Sequence, residues 1–129
     1  MNLLDENFPE DQRPLLRDWR VPHRQIGREI SDYGIQDPNI IPLLHRLGQV
    51  TFFTQDQDFF KPRLCHKCYC LVWLDVKPGE TASYVRRFLR HPAFQTQAKR
   101  MGIVARVNTE GIHYWHRGQP GKVSLHWPD

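Results

Sequence analysis

The aspartates that could carry out chemistry in this sequence fall at the ends of predicted strands. Asp5 follows a short apolar run at the N-terminus, and Asp56 and Asp58 follow the apolar run Val50–Phe53. Asp37 stands at the start of a predicted helix that leads into that second run. In open parallel sheets, ligands bind at the carboxyl ends of the strands, so neighbouring strands would bring Asp5, Asp56 and Asp58 together.

Such a group of carboxylates points to a hard divalent cation. Clustered carboxylates repel one another and raise each other's pKa values, and a bound cation removes that conflict. Mg²⁺ prefers oxygen ligands and keeps several waters, so a few carboxylates are enough to hold it. A cation of this kind activates water and neutralises charge on a phosphate. The pattern therefore predicts a Mg²⁺ or Mn²⁺ site for phosphodiester hydrolysis, with Asp5, Asp37, Asp56 and Asp58 as ligands and catalytic residues.

Local spacing supports this prediction, although each aspartate has a structural alternative. Alternate residues of an extended chain point to one side, so Thr54, Asp56 and Asp58 are expected to face the same site. Asp37 would cap a helix N-terminus in any protein. Asp56 or Asp58 could cap a turn, and Asp5 could be an exposed loop residue. Their joint placement at strand ends favours the metal site.

The elements that must hold these residues alternate between helix and strand. Asp37-Pro38 provides a helix start, and an apolar stripe with helical spacing follows, at Ile40, Leu43, Leu44 and Leu47. Gly48 is a natural helix end, and the apolar run after it is typical of a strand buried on both faces. Helix, glycine and buried strand in succession predict a parallel α/β sheet.

The rest of the chain continues this alternation. The further predicted elements are a strand over Asn2–Leu4, a helix over Pro9–Trp19, strands over Val21–Ile26 and Tyr69–Val76, a helix over Glu80–His91 and a β-hairpin of Ile103–Val107 with Ile112–His116. Residues 119–129 contain two prolines and a glycine, which predicts a loose tail after a single domain spanning residues 1–118.

Composition bounds the class of protein. The 129 residues suit one compact domain, and 40% of them are hydrophobic, as in globular proteins. The apolar stretches are far shorter than the ~20 residues of a membrane span, and the N-terminus lacks the basic start and apolar core of a signal peptide. We therefore expect no membrane association and a cytoplasmic location. The formal charge of +4 favours a polyanionic partner.

Three blocks of the sequence together resemble a known family. They are Leu4-Asp5-Glu6-Asn7, Gly34-Ile35-Gln36-Asp37-Pro38-Asn39-Ile40, and Thr54-Gln55-Asp56-Gln57-Asp58-Phe59 after Gly48-Gln49-Val50. Their order and spacing resemble the short PIN-like domain ribonucleases found among toxin–antitoxin toxins. Beyond Phe60 the likeness is looser and consists of a strand, an arginine-rich helix and a closing hairpin.

The resemblance implies a three-layer α/β PIN-like fold, with a central mostly parallel sheet flanked by helices and a C-terminal β-hairpin. It implies a metal-dependent endoribonuclease that hydrolyses RNA with Mg²⁺ or Mn²⁺, as does a toxin of a toxin–antitoxin pair. By position, Asp5, Asp37, Asp56 and Asp58 would hold the metal, with Thr54 and Glu6 in support. The family admits an antitoxin protein and a second copy of the chain as partners. The alternative is a catalytically inactive PIN-like module that binds RNA or a protein.

Two further groups of residues have both a functional and a structural interpretation. Cys65, His66, Cys68 and Cys70 offer zinc ligands within one short segment, but structural zinc sites usually draw on two separated pairs. His45, His91, His113 or His116 could add a ligand, whereas Cys70 is equally explained as a small apolar residue in a buried strand. Basic residues, either phosphate contacts for RNA or solvated helix faces, cluster at Arg13, Arg17, Arg24, Arg28, Arg86, Arg87 and Arg90.

Overall fold

A single sheet of seven strands runs through the protein. The computed structural model describes residues 1–31, 34–35 and 37–128, except for the side chain of Asp37. The spatial order of the strands is β2-β1-β3-β4-β5-β6-β7, with the first five parallel and the last two antiparallel to their neighbours. The strands are β1 (Asn2–Leu4), β2 (Arg24–Gln25), β3 (Val50–Thr54), β4 (Tyr69–Leu74), β5 (Ile103–Val107), β6 (Gly111–His116) and β7 (Val123–His126).

Helices cover both faces of this sheet. The α-helices are α1 (Arg13–Asp18), α2 (Asp37–Leu47), α3 (Thr81–Arg90) and α4 (Gln97–Arg100), and 3-10 turns occur at Glu10–Gln12, Gln57–Phe59, Pro62–Leu64 and Pro78–Glu80. Adjacent residues of a strand point to opposite faces, and the core divides accordingly. Leu4 and Phe53 pack with α1 and α3, whereas Leu3 and Phe52 pack with α2. The structure thus confirms an α/β protein with a mostly parallel sheet between helices.

The central strands are built from residues that suit burial on both faces. All five residues of β3 are buried, as are all but Trp73 of β4. Such continuous burial is expected where helices cover both sides of a parallel sheet. Gly48, with a φ of +67°, ends α2 and turns the chain into β3, as its position in the sequence predicts.

The strand order reverses direction between β1 and β3. The chain passes from β1 to β2 on one side, then returns past β1 to reach β3, and β4 and β5 continue outward from there. The connections that follow β1 and β3 therefore diverge to opposite sides. This divergence opens a crevice at the carboxyl ends of these two strands, the usual place for ligands in open α/β sheets.

The far end of the sheet matches the predictions in part. β5 and β6 pair antiparallel, with Val107 opposite Ile112, over the residues for which the sequence predicts a hairpin. Where we expected a loose tail from residue 119, Val123–His126 instead pair with β6 as the edge strand β7. The predicted strand Val21–Ile26 is reduced to Arg24–Gln25, because the chain before it is taken up by turns. Within the described ranges, no helix has the length and apolar character needed to cross a membrane.

Candidate functional site

An open cavity lies at the carboxyl ends of β1 and β3, where the strand order reverses. Its volume is about 310 Å³. Asp5 directly follows β1, Thr54 ends β3 and Asp56 comes two residues later, so both strand ends deliver oxygen-bearing side chains to one space. The lining residues are Asp5, Glu6, Asn7, Phe8, Ile35, Ile40, Thr54, Gln55 and Asp56.

Backbone pairing fixes the place of Asp5. Its N–H donates a 3.0 Å hydrogen bond to the carbonyl oxygen of Phe53, which extends the pairing of β1 with β3. Its carbonyl oxygen accepts hydrogen bonds from the N–H of Phe8 at 3.0 Å and from Nε2 of Gln25 at 3.1 Å. The same Nε2 donates to the carbonyl oxygen of Glu6 at 3.2 Å. Because Gln25 is buried, the turn at Asp5 and Glu6 is held from both neighbouring strands.

The hydroxyl of Thr54 joins the two strand ends. It donates a 2.6 Å hydrogen bond to Oδ2 of Asp5 and accepts a 3.0 Å hydrogen bond from the N–H of Asp56. Since a backbone N–H can only donate, the hydroxyl proton is directed to the carboxylate. Thr54 is almost wholly buried, at 1% exposure, so this arrangement is fixed by packing. The structure therefore brings together three of the residues that the sequence singled out.

The environment of Asp5 disfavours its charged form. Burial is the largest cause and raises the pKa of this carboxyl, and the negative charge of Asp56 raises the pKa further. Hydrogen bonds from Thr54 and from the backbone N–H groups of Glu6 and Asn7 oppose these effects, but the pKa stays above its ordinary value. A cation placed between Asp5 and Asp56 would remove both the repulsion and the penalty of burying an uncompensated charge.

Asp58 takes a different place from the one predicted. The strand ends at Thr54, and Asp56 begins a 3-10 turn over Gln57–Phe59 with its Oδ1 accepting a 2.9 Å hydrogen bond from the N–H of Asp58. The expectation of a continuous extended chain is therefore wrong. Asp58 is exposed and does not line the cavity, because the turn carries it out of the alternation.

Glu6 and Asp37 complete the predicted acidic set. Oε2 of Glu6 accepts a 2.8 Å hydrogen bond from the N–H of Gly34, so this side chain ties the segment before α2 to the rim of the cavity. The backbone of Asp37 begins α2, but its side chain lies outside the described part of the structure. Among the described side chains, no three carboxylates have oxygen atoms within 4.8 Å of one another.

Sequence reasoning overlooked Gln25, which holds the backbone of Asp5 and Glu6 from β2. Its signal in the sequence is weak, because an isolated glutamine beside Arg24 reads as an exposed polar residue. Only the pairing of β2 with β1 shows that this side chain is buried and points at the turn.

The first arginine cluster forms one surface. Arg13, Arg17 and Arg24 line an open concavity of about 480 Å³ beside β2. Arg13 pairs with Glu29 at 2.7 Å, and Arg28 pairs with Glu10, so part of the positive charge is internally neutralised. Arg17 and Arg24 are exposed. The surface lies beside β2, which pairs with β1, the strand that leads into Asp5.

The second arginine cluster is partly structural. The guanidinium of Arg86 lies 4.8 Å from the ring centre of Trp19. The guanidinium of Arg87 lies 4.3 Å from the ring of Trp127 and 4.9 Å from the ring of Tyr84. These stacked positions pack α3 against α1 and the C-terminal segment. Arg90 is exposed at the end of α3 and lines a separate concavity with Arg87.

The cysteine segment does not assemble the four ligands that the sequence suggested. Cys70 is fully buried on the α3 face of the sheet, and burial raises the pKa of its thiol. Cys65 directs its Sγ to the carbonyl oxygen of Trp115 at 3.7 Å. A zinc site made from Cys65, His66, Cys68 and Cys70 is therefore excluded, because Cys70 packs into the core on the α3 face of the sheet, whereas Cys65 and Cys68 pack against the core on the α2 face. Cys68 lies in the loop before β4, so it does not follow the alternation of the strand.

Neither a protein-family model nor a curated protein nor a solved structure matches this chain. What the site can do must therefore be argued from its own geometry. Two carboxylates and a hydroxyl lie in an open cavity at a reversal of strand order, where they could supply oxygen ligands to a hard cation.

Proposed function

We propose that this protein is a metal-dependent endoribonuclease of the PIN-like class. The observation that carries the proposal is the joining of Asp5 and Asp56 through the hydroxyl of Thr54, in a cavity at the carboxyl ends of β1 and β3. The same residues stand in the sequence blocks that resemble PIN-like ribonucleases. Fold position, residue chemistry and resemblance support the same interpretation.

The donor set suits Mg²⁺ or Mn²⁺. These cations take oxygen ligands, and Mg²⁺ is commonly held by one or two carboxylates together with waters and substrate phosphates. Asp5 and Asp56 would hold the cation, and Asp37 is the further ligand that the resemblance implies. When bound, such a cation supplies a water of lowered pKa and neutralises charge on the scissile phosphate. Burial raises the pKa of the Asp5 carboxyl, and a bound cation would lower that pKa again.

The protein's own residues hold this site ready. Thr54 orients the carboxylate of Asp5. Its hydroxyl oxygen accepts a hydrogen bond from the N–H of Asp56, and its hydroxyl proton is donated to Oδ2 of Asp5. Gln25 holds the carbonyl oxygen of Asp5 from β2. Glu6 holds the segment at Gly34 over one side of the cavity. The cavity remains open, which suits a polymeric substrate that must lie across it.

The choice of RNA as substrate rests on charge and on the resemblance. The chain carries a formal charge of +4, and Arg13, Arg17 and Arg24 line one concave surface. Basic residues of this kind position a phosphate backbone without reading its sequence. A toxin role with an antitoxin partner, a homodimer and a cytoplasmic location belong to the same proposal, on the resemblance and on the cysteines being free thiols.

The test is cleavage of a mixed RNA substrate with Mn²⁺, with and without excess EDTA. Asp56→Asn removes one carboxylate from the cavity, and Asp58→Asn removes a neighbouring exposed carboxylate with the same change of charge. We expect metal-dependent cleavage that Asp56→Asn abolishes and Asp58→Asn preserves. Equal cleavage by both variants would contradict the assignment of the cavity.

A binding module on the same fold is the second candidate. The observation in its favour is that Oδ1 of Asp56 is already engaged by the N–H of Asp58, which leaves fewer oxygens for a cation. This function predicts that RNA binds through the surface of Arg13, Arg17 and Arg24, and that no RNA is cleaved with any divalent cation. RNA binding by the well-folded protein without turnover would replace the nuclease proposal with this one.

A further inference from the structure

A second group of ligand atoms lies at the amino ends of the central strands, opposite the end that carries the carboxylates. His45 is in the last turn of α2, and His66 and Cys68 lie in the loop that leads into β4. One ligand atom from each of these three residues lies within 4.8 Å of the other two. The residues come from two elements that are distant in the sequence, so the fold has brought them together.

We propose that His45, His66 and Cys68 bind one Zn²⁺ ion. Two imidazole nitrogens and a thiolate are the ligands that zinc prefers, whereas Mg²⁺ and Ca²⁺ take oxygen ligands. Three protein ligands leave a fourth tetrahedral position for water or another small ligand. This site does not depend on the nuclease proposal, because it uses different residues and a different class of metal.

The geometry needs only small side-chain movements to close on the ion. Zinc bonds of about 2.0 Å to nitrogen and 2.3 Å to sulfur place tetrahedral ligand atoms about 3.3–3.6 Å apart. The observed separations, all within 4.8 Å, approach that range. His45 is exposed and His66 and Cys68 are half-buried, so none of the three side chains is locked inside the core.

A hydrogen bond within the loop sets the tautomer of His66. The N–H of Cys68 donates a 3.1 Å hydrogen bond to Nδ1 of His66. Since a backbone N–H can only donate, Nδ1 carries the lone pair and the proton of the neutral ring lies on Nε2. The Nδ1 lone pair is therefore held by the backbone N–H of Cys68. A metal bound at Nδ1 would displace this hydrogen bond, with no change of tautomer.

Neighbouring contacts hold the three residues in place. The rings of His45 and His66 are 4.3 Å apart between centroids, and His66 stacks on Tyr69 at 5.6 Å. The carbonyl oxygen of Cys68 accepts a hydrogen bond from the N–H of Val50, the first residue of β3. A bound ion would thus tie the end of α2 to the start of β4.

The two sites are separated by the length of the central strand. The five residues of β3 span about 16 Å at ~3.3 Å per residue. Cys68 lies beside the first residue of this strand, and Thr54 is its last residue. Substitutions in the carboxylate cavity should therefore leave zinc binding intact. This separation allows the failure of one proposal to be distinguished from the failure of the other.

The test is competition for Zn²⁺ between the purified full chain and a coloured chelator. We expect one Zn²⁺ per chain and no displacement of it by Mg²⁺. Loss of an outer-shell partner commonly weakens metal binding roughly 10–100-fold, and we expect Cys68→Ser and His45→Ala, which remove direct ligands, to weaken it by more. Cys65→Ser is the matched cysteine control, and Asp5→Asn is the control for the carboxylate cavity. Both variants should bind Zn²⁺ like the parent protein.

A spectroscopic measurement identifies the ligands directly. Co²⁺ bound to a thiolate gives a sulfur-to-metal charge-transfer band, which should be present in the parent and Cys65→Ser proteins and absent from Cys68→Ser. His45→Ala, an exposed change, tests the site even if Cys68→Ser unfolds. The proposal is overturned if the folded protein binds no Zn²⁺, or if binding survives both Cys68→Ser and His45→Ala.

Discussion

Thr54 and Asp5 join the ends of two parallel strands through a 2.6 Å hydrogen bond from the threonine hydroxyl to Oδ2 of the aspartate. The residues are 49 positions apart in the chain, and the pairing of β1 with β3 brings them together. The same hydroxyl accepts a hydrogen bond from the N–H of Asp56, and this second hydrogen bond positions the chain where it leaves β3. Threonine at the end of a buried strand therefore joins the two aspartates of the cavity, Asp5 and Asp56.

Replacing Thr54 with valine should impair metal-dependent cleavage, although the volume of the side chain hardly changes. Valine keeps the shape but removes the hydroxyl that orients Asp5, and loss of a comparable supporting partner lowers metal affinity or activity roughly 10–100-fold. The hydrogen bond from Thr54 lowers the pKa of Asp5, so its loss raises that pKa further. The acid limb of the pH–activity profile should therefore move to higher pH.

Thr54→Ser is the control for this prediction, because serine retains the hydroxyl and loses only a methyl group. We expect it to keep both the activity and the pH profile of the parent protein. If Thr54→Val matched the parent in rate and pH profile, the hydroxyl would have no part in orienting Asp5.

Asp5→Asn should make the protein more stable than the parent at neutral pH while abolishing cleavage. The folded state raises the pKa of Asp5 above its ordinary value of 3.8, mainly through burial. The stability linked to this group is therefore fully present below that ordinary value and is lost as pH rises through the folded pKa. Asparagine imitates the neutral acid, so the variant should escape that loss.

Urea unfolding between about pH 4 and pH 7 measures this difference, which should grow toward pH 7. Added Mn²⁺ should reverse the order, because a ligand at a hundredfold excess over its Kd stabilises the folded state by about 2.7 kcal/mol. The parent protein should gain this stabilisation and Asp5→Asn should not. Asp58→Asn controls for the change of charge, and an equal response from it would refute the assignment of Asp5.

The sequence predicts the residues of the cavity only where it predicts the end of a strand. Asp5 and Thr54 are placed by strands whose apolar residues are easily read, and both lie where expected. Asp58 departs because Asp56 accepts the N–H of Asp58 and starts a 3-10 turn. Aspartate favours such local hydrogen bonds, and alternation along an extended strand cannot reveal them.

Long-range pairing decided the features that the sequence could not predict. Gln25 is buried only because a two-residue strand pairs with β1. His45 meets His66 and Cys68 only because α2 ends beside the loop before β4. A sequence scan for zinc ligands favours neighbouring cysteines, whereas Cys70 packs on the α3 face of the sheet and Cys68, in the loop before β4, packs on the α2 face.

The exposed arginines beside β2 should control RNA affinity. Replacing Arg17 or Arg24 with glutamine removes one phosphate contact, which should weaken binding of all RNA sequences alike and reduce the salt dependence by about one unit of slope. Fluorescence anisotropy over a range of salt concentrations measures both effects. Arg63→Gln makes the same change of charge at an exposed position in the 3-10 turn Pro62–Leu64 and should bind like the parent. Similar weakening by all three variants would indicate an effect of net charge alone.

Gly111 should be essential for the edge strand at the C-terminal end of the sheet. A Cβ atom at this position would lie 1.8 Å from the carbonyl oxygen of Leu125 and 2.9 Å from the Cα atom of His126, both in the backbone of β7. Gly111→Ala must therefore displace β7, and such overpacking costs typically about 1–3 kcal/mol, or more where backbone blocks the space. For a domain of this size we expect the Tm to fall by roughly 3–5 °C per kcal/mol.

Gly79→Ala is the matched control, because a Cβ atom there meets nothing within 4 Å. Alanine also reduces the freedom of the unfolded chain, so this variant should keep or slightly raise the Tm. Thermal unfolding followed by circular dichroism compares the two variants directly. A Gly111→Ala protein that melted with the parent would show that β7 does not pack against β6 at this position.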